Sequence, residues 1–289
     1  MNVPRNIIWI ASFPKSGNTW VRAFLGNYFQ PTGKNLSINE LSSITTGDIR
    51  TDWFDMAGGK PFKGESFDDW LILRPKVLRL IARSRPDNRF VKTHCKIDRI
   101  GEIDLILPEV TAAAICIIRN PFDVAVSFAR HSDISIDVSI DRMCDPVNIS
   151  KSDSGIIEVL GRWDDHIQTW MNAPGLPRHL MRYEDMVDNP KTEYKKLLEF
   201  LQVPVEYKKL QTALKETSFS AMQKQESSEG FREKPPGMDK FFSTGTYGGW
   251  VDRLTPKQVG RIHTEFKSTI DKYFPEVGKQ AMAIISRDK

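Results

Sequence analysis

Short unbroken apolar runs alternate along this chain with stretches whose apolar residues recur every three or four positions. The first run is Ile7-Ile8-Trp9-Ile10-Ala11, and a run of that kind reads as a strand buried on both faces. After a turn at Ser12 to Gly17, Trp20, Val21, Phe24, Leu25 and Tyr28 keep helical spacing, so a helix follows at once. Strand, tight loop and helix open a βαβ unit. Arg89–Thr93, Ala113–Ile118 and His179–Tyr183 read as further strands. The second of these runs into Asn120-Pro121, a cap followed by proline at the first helical position, with Phe122, Ala125, Phe128 and Ala129 on one face.

Later periodicity is helical. Ile156, Leu160, Trp163, Ile167 and Trp170 keep helical spacing, as do Tyr194, Leu197, Leu198 and Leu201 after a start at Asn189-Pro190. Thr255-Pro256 opens one long last helix carrying Val259, Ile262, Phe266 and Ile270. Strands alternating with helices predict an α/β fold with a mostly parallel sheet. Stretches 31–70, 132–155 and 223–248 lack clear periodicity and read as loops or short helices that contact substrate. No linker divides the chain, so residues 1–289 are expected to form one domain.

Composition narrows the function. With 41 basic and 37 acidic side chains, the formal charge over 289 residues is +4, which suits an anionic ligand and argues against a nucleic-acid binder. Cys95, Cys116 and Cys144 are odd in number and widely spaced, which excludes a disulfide scaffold or zinc module and favours a reducing compartment. No apolar run approaches the roughly 18 residues that span a membrane. A cytoplasmic protein without membrane insertion is expected.

The loop Ser12-Phe13-Pro14-Lys15-Ser16-Gly17-Asn18-Thr19-Trp20 carries the first chemistry. Its backbone N–H groups and the helix N-terminus make an anion site, to which Lys15 adds a full charge. The alternative is an ordinary turn with an exposed lysine. The loop is not the nucleoside-triphosphatase Gly-x4-Gly-Lys-Ser/Thr, because Pro14 precedes the lysine and the glycine follows by two. No strand ends in the Asp that would hold magnesium; the strand at 113–118 ends in Arg119. The site reads as built for phosphate without a metal.

These residues resemble the sulfotransferase family, which uses 3′-phosphoadenosine 5′-phosphosulfate (PAPS). Residues 12–20 are similar to its 5′-phosphosulfate loop. Arg119-Asn120-Pro121-Phe122-Asp123-Val124-Ala125-Val126-Ser127 is similar to its 3′-phosphate segment. Lys92-Thr93-His94, Arg182-Tyr183-Glu184-Asp185-Met186 and Thr217-Ser218-Phe219-Ser220-Ala221-Met222 agree in order. The resemblance implies a three-layer αβα, P-loop-NTPase-like fold and sulfuryl transfer to a small-molecule acceptor hydroxyl or amine. It assigns Lys15 to the bridging oxygen and the N–H groups of Ser16, Gly17, Asn18 and Thr19 to the 5′-phosphate. Arg119 and Ser127 take the 3′-phosphate, while Trp20, Tyr183, Thr217 and Phe219 form the adenine slot. His94 is the implied general base, with Lys92 stabilising charge on the transferring group.

One departure stands out. Many members carry Arg-Lys-Gly near the C-terminus to close over the 3′-phosphate, whereas this chain has Ser243-Thr244-Gly245. Those hydroxyls and the Gly245 N–H can still donate, and Arg232, Lys234 or Lys240 is expected to supply the missing charge. The dimerisation motif of animal cytosolic members is not recognisable after Trp250, so no oligomeric state carries over.

The bland readings are weighed residue by residue. Among His94, His131, His166, His179 and His263 no pair has metal-ligand spacing. Cys95 reads as a packed thiol, and Asp123 as a carboxylate favoured by its place in a helix's first turn. Trp53, Trp70 and Trp163 read as packing residues, with Trp53 and Trp70 the better candidates for stacking on substrate. The irregular segments hold Phe54, Phe62, Phe67, Arg50, Lys60, Lys63, Arg142 and Lys151, and phenols, lipids, antibiotics and saccharides all fit them as acceptors. Two other readings compete. A P-loop ATP-dependent kinase would need the Gly-Lys-Ser/Thr loop and a magnesium carboxylate, and a non-catalytic adenosine-bisphosphate-binding module would have no use for Lys92 and His94.

Overall fold

The computed structural model describes residues 3–31, 34–64, 66–152, 155–235 and 237–287. Strand β1 (Ile7–Ser12) is followed by α1 (Asn18–Tyr28), a 3-10 turn at Leu41–Ser43, β2 (Thr45–Gly47), α2 (Thr51–Gly58), α3 (Phe67–Arg83) and β3 (Arg89–Thr93). A small hairpin, β4 (Arg99–Ile100) and β5 (Ile103–Asp104), precedes β6 (Thr111–Ile118), α4 (Pro121–Ser132) and α5 (Ile136–Cys144). A second hairpin, β7 (Ile149–Lys151) and β8 (Ile157–Val159), leads to α6 (Trp163–Met171) and β9 (Arg178–Arg182). Helices α7 (Tyr183–Asp188), α8 (Pro190–Phe200), α9 (Tyr207–Glu216) and α10 (Phe219–Glu229) follow. A 3-10 turn at Gly249–Asp252 then precedes α11 (Pro256–Glu265), α12 (Lys267–Tyr273) and α13 (Pro275–Arg287).

The main sheet has the order β2-β3-β1-β6-β9 and every pair in it is parallel. Strand β1 alternates between two cores although every residue in it is buried. Ile7, Trp9 and Ala11 join Phe54, Trp70, Val77 and Trp170 on one face, while Ile8 and Ile10 join Phe24, Leu25, Tyr194 and Leu197 on the other. Helices therefore cover both faces, giving three layers. A further core around Trp163, Trp250 and Phe266 packs α4 and α5 against α11, α12 and α13. Because β1 lies between β3 and β6, the loops leaving the carboxyl ends of these three strands meet in one crevice.

Several elements differ from the sequence reading. Residues 157–159 form β8 rather than the start of a helix, pairing with β7 and accepting the Lys96 N–H at the Val159 carbonyl (2.8 Å). Ile157 and Val159 are buried as well as Ile156 and Leu160, so the spacing of the latter pair says nothing about a helix. The long last helix is three helices, broken first at Phe266 (φ −116°, ψ 17°), whose ring packs on Trp163. Stretch 31–70 contains β2, α2 and the first turns of α3. In α3 the apolar face is interrupted by Arg74, which is fully buried as an ion pair with Asp48, and this hides the periodicity. Stretch 132–155 contains α5, and α10 runs into 223–248 as far as Glu229.

Candidate active site

The loop after β1 turns sharply. Lys15 takes a left-handed conformation (φ 69°) that costs an L-residue about 1–2 kcal/mol. Gly17 does so at φ 108°, where a Cβ would sit 2.9 Å from the Tyr183 ring. The Asn18 side chain donates to the Ile10 carbonyl (2.9 Å) and to Ser12 Oγ (3.2 Å), fastening the start of α1 to the end of β1. Ser16 Oγ is buried without a partner. Lys15 Nζ lies 3.3 Å from His131 Nδ1 and 4.1 Å from the centre of the Phe241 ring. Burial, then the charges of Arg130, Arg119 and Lys92, bring its pKa down to about 7.

At the end of β3, His94 donates from Nδ1 to the Ser12 carbonyl (2.7 Å). Burial, with Lys92 beside it, pushes its pKa down to about 3, so the ring is neutral and Nε2 keeps its lone pair. The strand end is held from below by buried groups. Asp48 accepts from Thr93 Oγ1 (2.7 Å) and from Arg74 (2.7 Å). Trp170 Nε1 donates to the Cys95 carbonyl (3.0 Å), and the His94 carbonyl lies 3.2 Å from His166 Nε2. Cys95 is fully buried and its thiol is pushed up to about 12, in keeping with a packing role.

Arg119, at the end of β6, lies 4.2 Å above the Tyr183 ring. It donates to the carbonyls of Lys15 (3.3 Å) and Thr246 (3.2 Å), while its Nε is buried and unpartnered. Next to it, Asn120 donates to Glu184 Oε1 (2.7 Å) and Asp123 Oδ2 (2.8 Å). That same Asp123 oxygen accepts the Gly248 N–H (2.7 Å), so the first turn of α4 fastens the 243–249 segment. A cavity of about 1050 Å³ opens among these strand ends. Lys15, Gly17, Asn18, Thr19, Trp20, Lys92, His94, Arg119, Ser127, Tyr183, Phe219, Ser243, Thr244 and Gly245 all border it.

The family model for the sulfotransferase domain matches residues 5–274. The chain belongs to that family. It is 23% identical over 272 residues to cytosolic sulfotransferase 10 of Arabidopsis thaliana, covering 88% of this chain and 75% of the relative. It is 25% identical over 271 residues to the dog (Canis lupus familiaris) sulfotransferase 1A1, covering 91% and 82%. The fold is shared with mouse sulfotransferase SULT7A1 complexed with PAP (TM-score 0.60, 19% identity, 98% of this chain and 90% of that one). It is also shared with retinol dehydratase in a complex with retinol and PAP (TM-score 0.63, 18% identity, 93% and 82%).

The sulfotransferase site departs from the sequence reading in particular places. Ser16 and Thr217 do not border the cavity. The Thr217 hydroxyl donates to the Ala213 carbonyl (2.6 Å) at the end of α9 and is buried there, which commits its proton and leaves only its lone pairs. Neither Arg232, Lys234 nor Lys240 borders the cavity; Lys234 donates instead to the Asp239 carbonyl (2.9 Å). Trp53 and Trp70 also lie away from it: Trp70 is fully buried, and Trp53 donates to Thr46 Oγ1. Phe54, Phe62 and Phe67 belong to or pack on the same core as Trp70, whereas Arg142 and Lys151 do reach the cavity.

Residues the sequence reading did not single out also border the cavity, among them Arg130, His131, Glu158, Phe241 and Arg253. Arg130 and His131 follow Ser127 by three and four positions, a helical spacing that pointed to the same face of α4. The pockets and orphaned donors fit an adenosine bisphosphate group. Arg119 Nε lacks a partner, and Gly245 (φ 64°) leaves the space of a Cβ to the Phe219 ring, 2.1 Å away. Among the described residues no group of three His, Cys, Asp or Glu could hold a metal ion, and no helix is long and apolar enough to cross a membrane.

Proposed function

We propose that this sulfotransferase moves the sulfuryl group of PAPS in line onto the hydroxyl or amine of a small-molecule acceptor, with His94 as general base and Lys15 and Lys92 stabilising charge. The observation that carries the reading is the meeting of Lys15, Lys92, His94 and Arg119 at the carboxyl ends of β1, β3 and β6 around one cavity. When bound, PAPS supplies the activated sulfur; the protein supplies position, charge and a proton acceptor.

His94 Nε2 accepts the acceptor's proton, because the Ser12 carbonyl fixes the hydrogen on Nδ1. Lys92 shares the face of the strand end that His94 presents to the cavity and holds the transferring oxygens. Lys15 faces the oxygen on which charge grows as the S–O bond breaks, and the N–H groups of residues 16–19 hold the neighbouring phosphate. Arg119 and Ser127 bind the 3′-phosphate, and Trp20, Tyr183 and Phe219 surround the adenine. A cytoplasmic location accords with relatives named as cytosolic.

The test is an acceptor screen with isotopically labelled PAPS, read by mass spectrometry, beside calorimetric titration of PAP. Sulfated product and binding of PAP are expected. A protein that binds ATP–magnesium and ignores PAP would sink the reading.

A further inference from the structure

Three arginines reach one corner of the cavity from separate elements. Arg119 leaves the end of β6, Arg130 lies one turn beyond Ser127 on α4, and Arg253 follows the 3-10 turn at Gly249–Asp252. Among the described residues none of the three has a carboxylate within ion-pair distance. The acidic groups nearby take their hydrogen bonds from neutral donors, although the Glu226 charge still raises the Arg130 pKa. Glu226 accepts the Phe241 and Phe242 N–H groups (2.7 and 2.9 Å), and Asp123 accepts from Asn120 and Gly248. Asp252 borders the cavity and has no ion pair among the described residues. Arg130 feels Arg119 and Arg253 as like charges that, after burial, lower its pKa. Lone surface arginines are ordinarily just solvated. Here two exposed arginines, Arg130 and Arg253, stand beside Arg119, which is nine-tenths buried with an unpartnered Nε, and none of the three touches a carboxylate among the described residues, an arrangement that favours an anion.

We propose that Arg130 and Arg253 complete the 3′-phosphate site with Arg119, supplying the charge that Ser243 and Thr244 lack. The assignment rests on the PAPS reading above. The 5′-side anion is already provided for by Lys15 and the loop N–H groups, so the arginine corner takes the second phosphate. Arg119 and the backbone that carries Arg253 are held in place. Arg119 donates to the Thr246 carbonyl, Asp123 ties Gly248, and Trp250 stacks on Phe122 with ring centres 4.5 Å apart. Arg253 then follows Trp250 by a single turn whose N–H donates to the Trp250 carbonyl (3.0 Å). The basic residues that precede the Ser243-Thr244 pair, Arg232, Lys234 and Lys240, do not border the cavity, whereas Arg130 on α4 and Arg253 beyond the turn do.

Calorimetry decides it with four proteins, the unaltered chain, Arg130→Ala, Arg253→Ala and Arg253→Lys, each titrated with PAP and with adenosine 5′-phosphate. Each alanine variant should weaken PAP about tenfold or more while changing adenosine 5′-phosphate less than about twofold. Arg253→Lys should recover part of the loss, and the dependence of PAP affinity on salt should become shallower in both alanine variants. Adenosine 5′-phosphate binding doubles as the check that each variant folds. PAP affinity unchanged in both alanine variants, or equal losses for the two nucleotides, overturns the assignment. An unaltered protein that binds adenosine 5′-phosphate no more weakly than PAP would overturn the PAPS reading beneath it.

Discussion

The Nδ1 of His94 lies 2.7 Å from the carbonyl oxygen of Ser12. A carbonyl only accepts, so the hydrogen is on Nδ1 and the free lone pair is on Nε2. The same Ser12 is gripped through its hydroxyl by Asn18, at the start of α1. The loop after β1 and the His94 ring are thus held as one unit.

His94→Ala should lower kcat by about 10²–10⁴, the usual loss on removing a general base. PAP affinity should stay within about twofold, because the phosphates are held by other groups. The paired measurement is calorimetry with PAP and turnover with an acceptor from the screen. Wild-type turnover would leave His94 without the assigned role, and loss of PAP binding would make it structural.

PAP binding should take up protons above neutrality. The Lys15 ammonium has its pKa down to about 7 from burial and from Arg130, Arg119 and Lys92, and bound phosphates offset those charges and raise it. At about pH 8.5 Lys15 is mostly neutral when free and charged when bound, so uptake approaches one proton. Affinity accordingly falls as pH rises above 7. Calorimetry in buffers of different ionisation heat reads the uptake directly. Lys15→Arg, which stays charged, should abolish it; uptake that persists in this variant would assign the proton elsewhere.

Arg119→Ala should cost about 2–4 kcal/mol in PAP binding, the usual loss for a charge-assisted contact in a buried setting. Its guanidinium already lies on Tyr183 and between two carbonyls, with Nε left over. Titration of PAP into the variant measures the loss. Affinity within a factor of two of the unaltered protein would remove Arg119 from the phosphate site.

Asp48→Ala should destabilise the fold by about 3–5 kcal/mol, because it leaves the fully buried Arg74 without its ion-pair partner. Replacing both residues by apolar ones of similar size should cost less than Asp48→Ala alone. Guanidinium unfolding curves give both values. A loss under about 1 kcal/mol for Asp48→Ala would show that Arg74 finds another partner.

What could be read along the chain is what neighbours in sequence decide. β1, the Lys15–Gly17 turn and the capped start of α4 lie within a few residues of their own signals, since run, cap and turn are local devices. The helix start at Pro190 is legible for the same reason. Period-two alternation is invisible in β1, because both of its faces are buried, yet the continuous apolar run itself marks a central parallel strand. Where a signal needs a partner, it fails. Ile156 and Leu160 mimic a helix because β8 is buried from both sides by pieces far away in sequence, and α3 hides because Arg74 meets Asp48 only in the folded chain.

The site divides in the same way. Lys15, Lys92, His94 and Arg119 could be placed along the chain because each stands at or just beyond the carboxyl end of a recognisable strand, while the roles proposed for them come from the family resemblance. Their meeting was not legible, since it depends on the order β3-β1-β6, which no single segment encodes. Thr217 looked available until α9 placed it one turn from the Ala213 carbonyl. Ser12 and His94 are 82 positions apart, and Lys15 and His131 are 116 apart. The tautomer of His94, the lowered pKa of Lys15 and the arginine corner all follow from such distant pairs. Charge and burial at a point depend on everything within reach in space, and only the closed tertiary fold determines what that is.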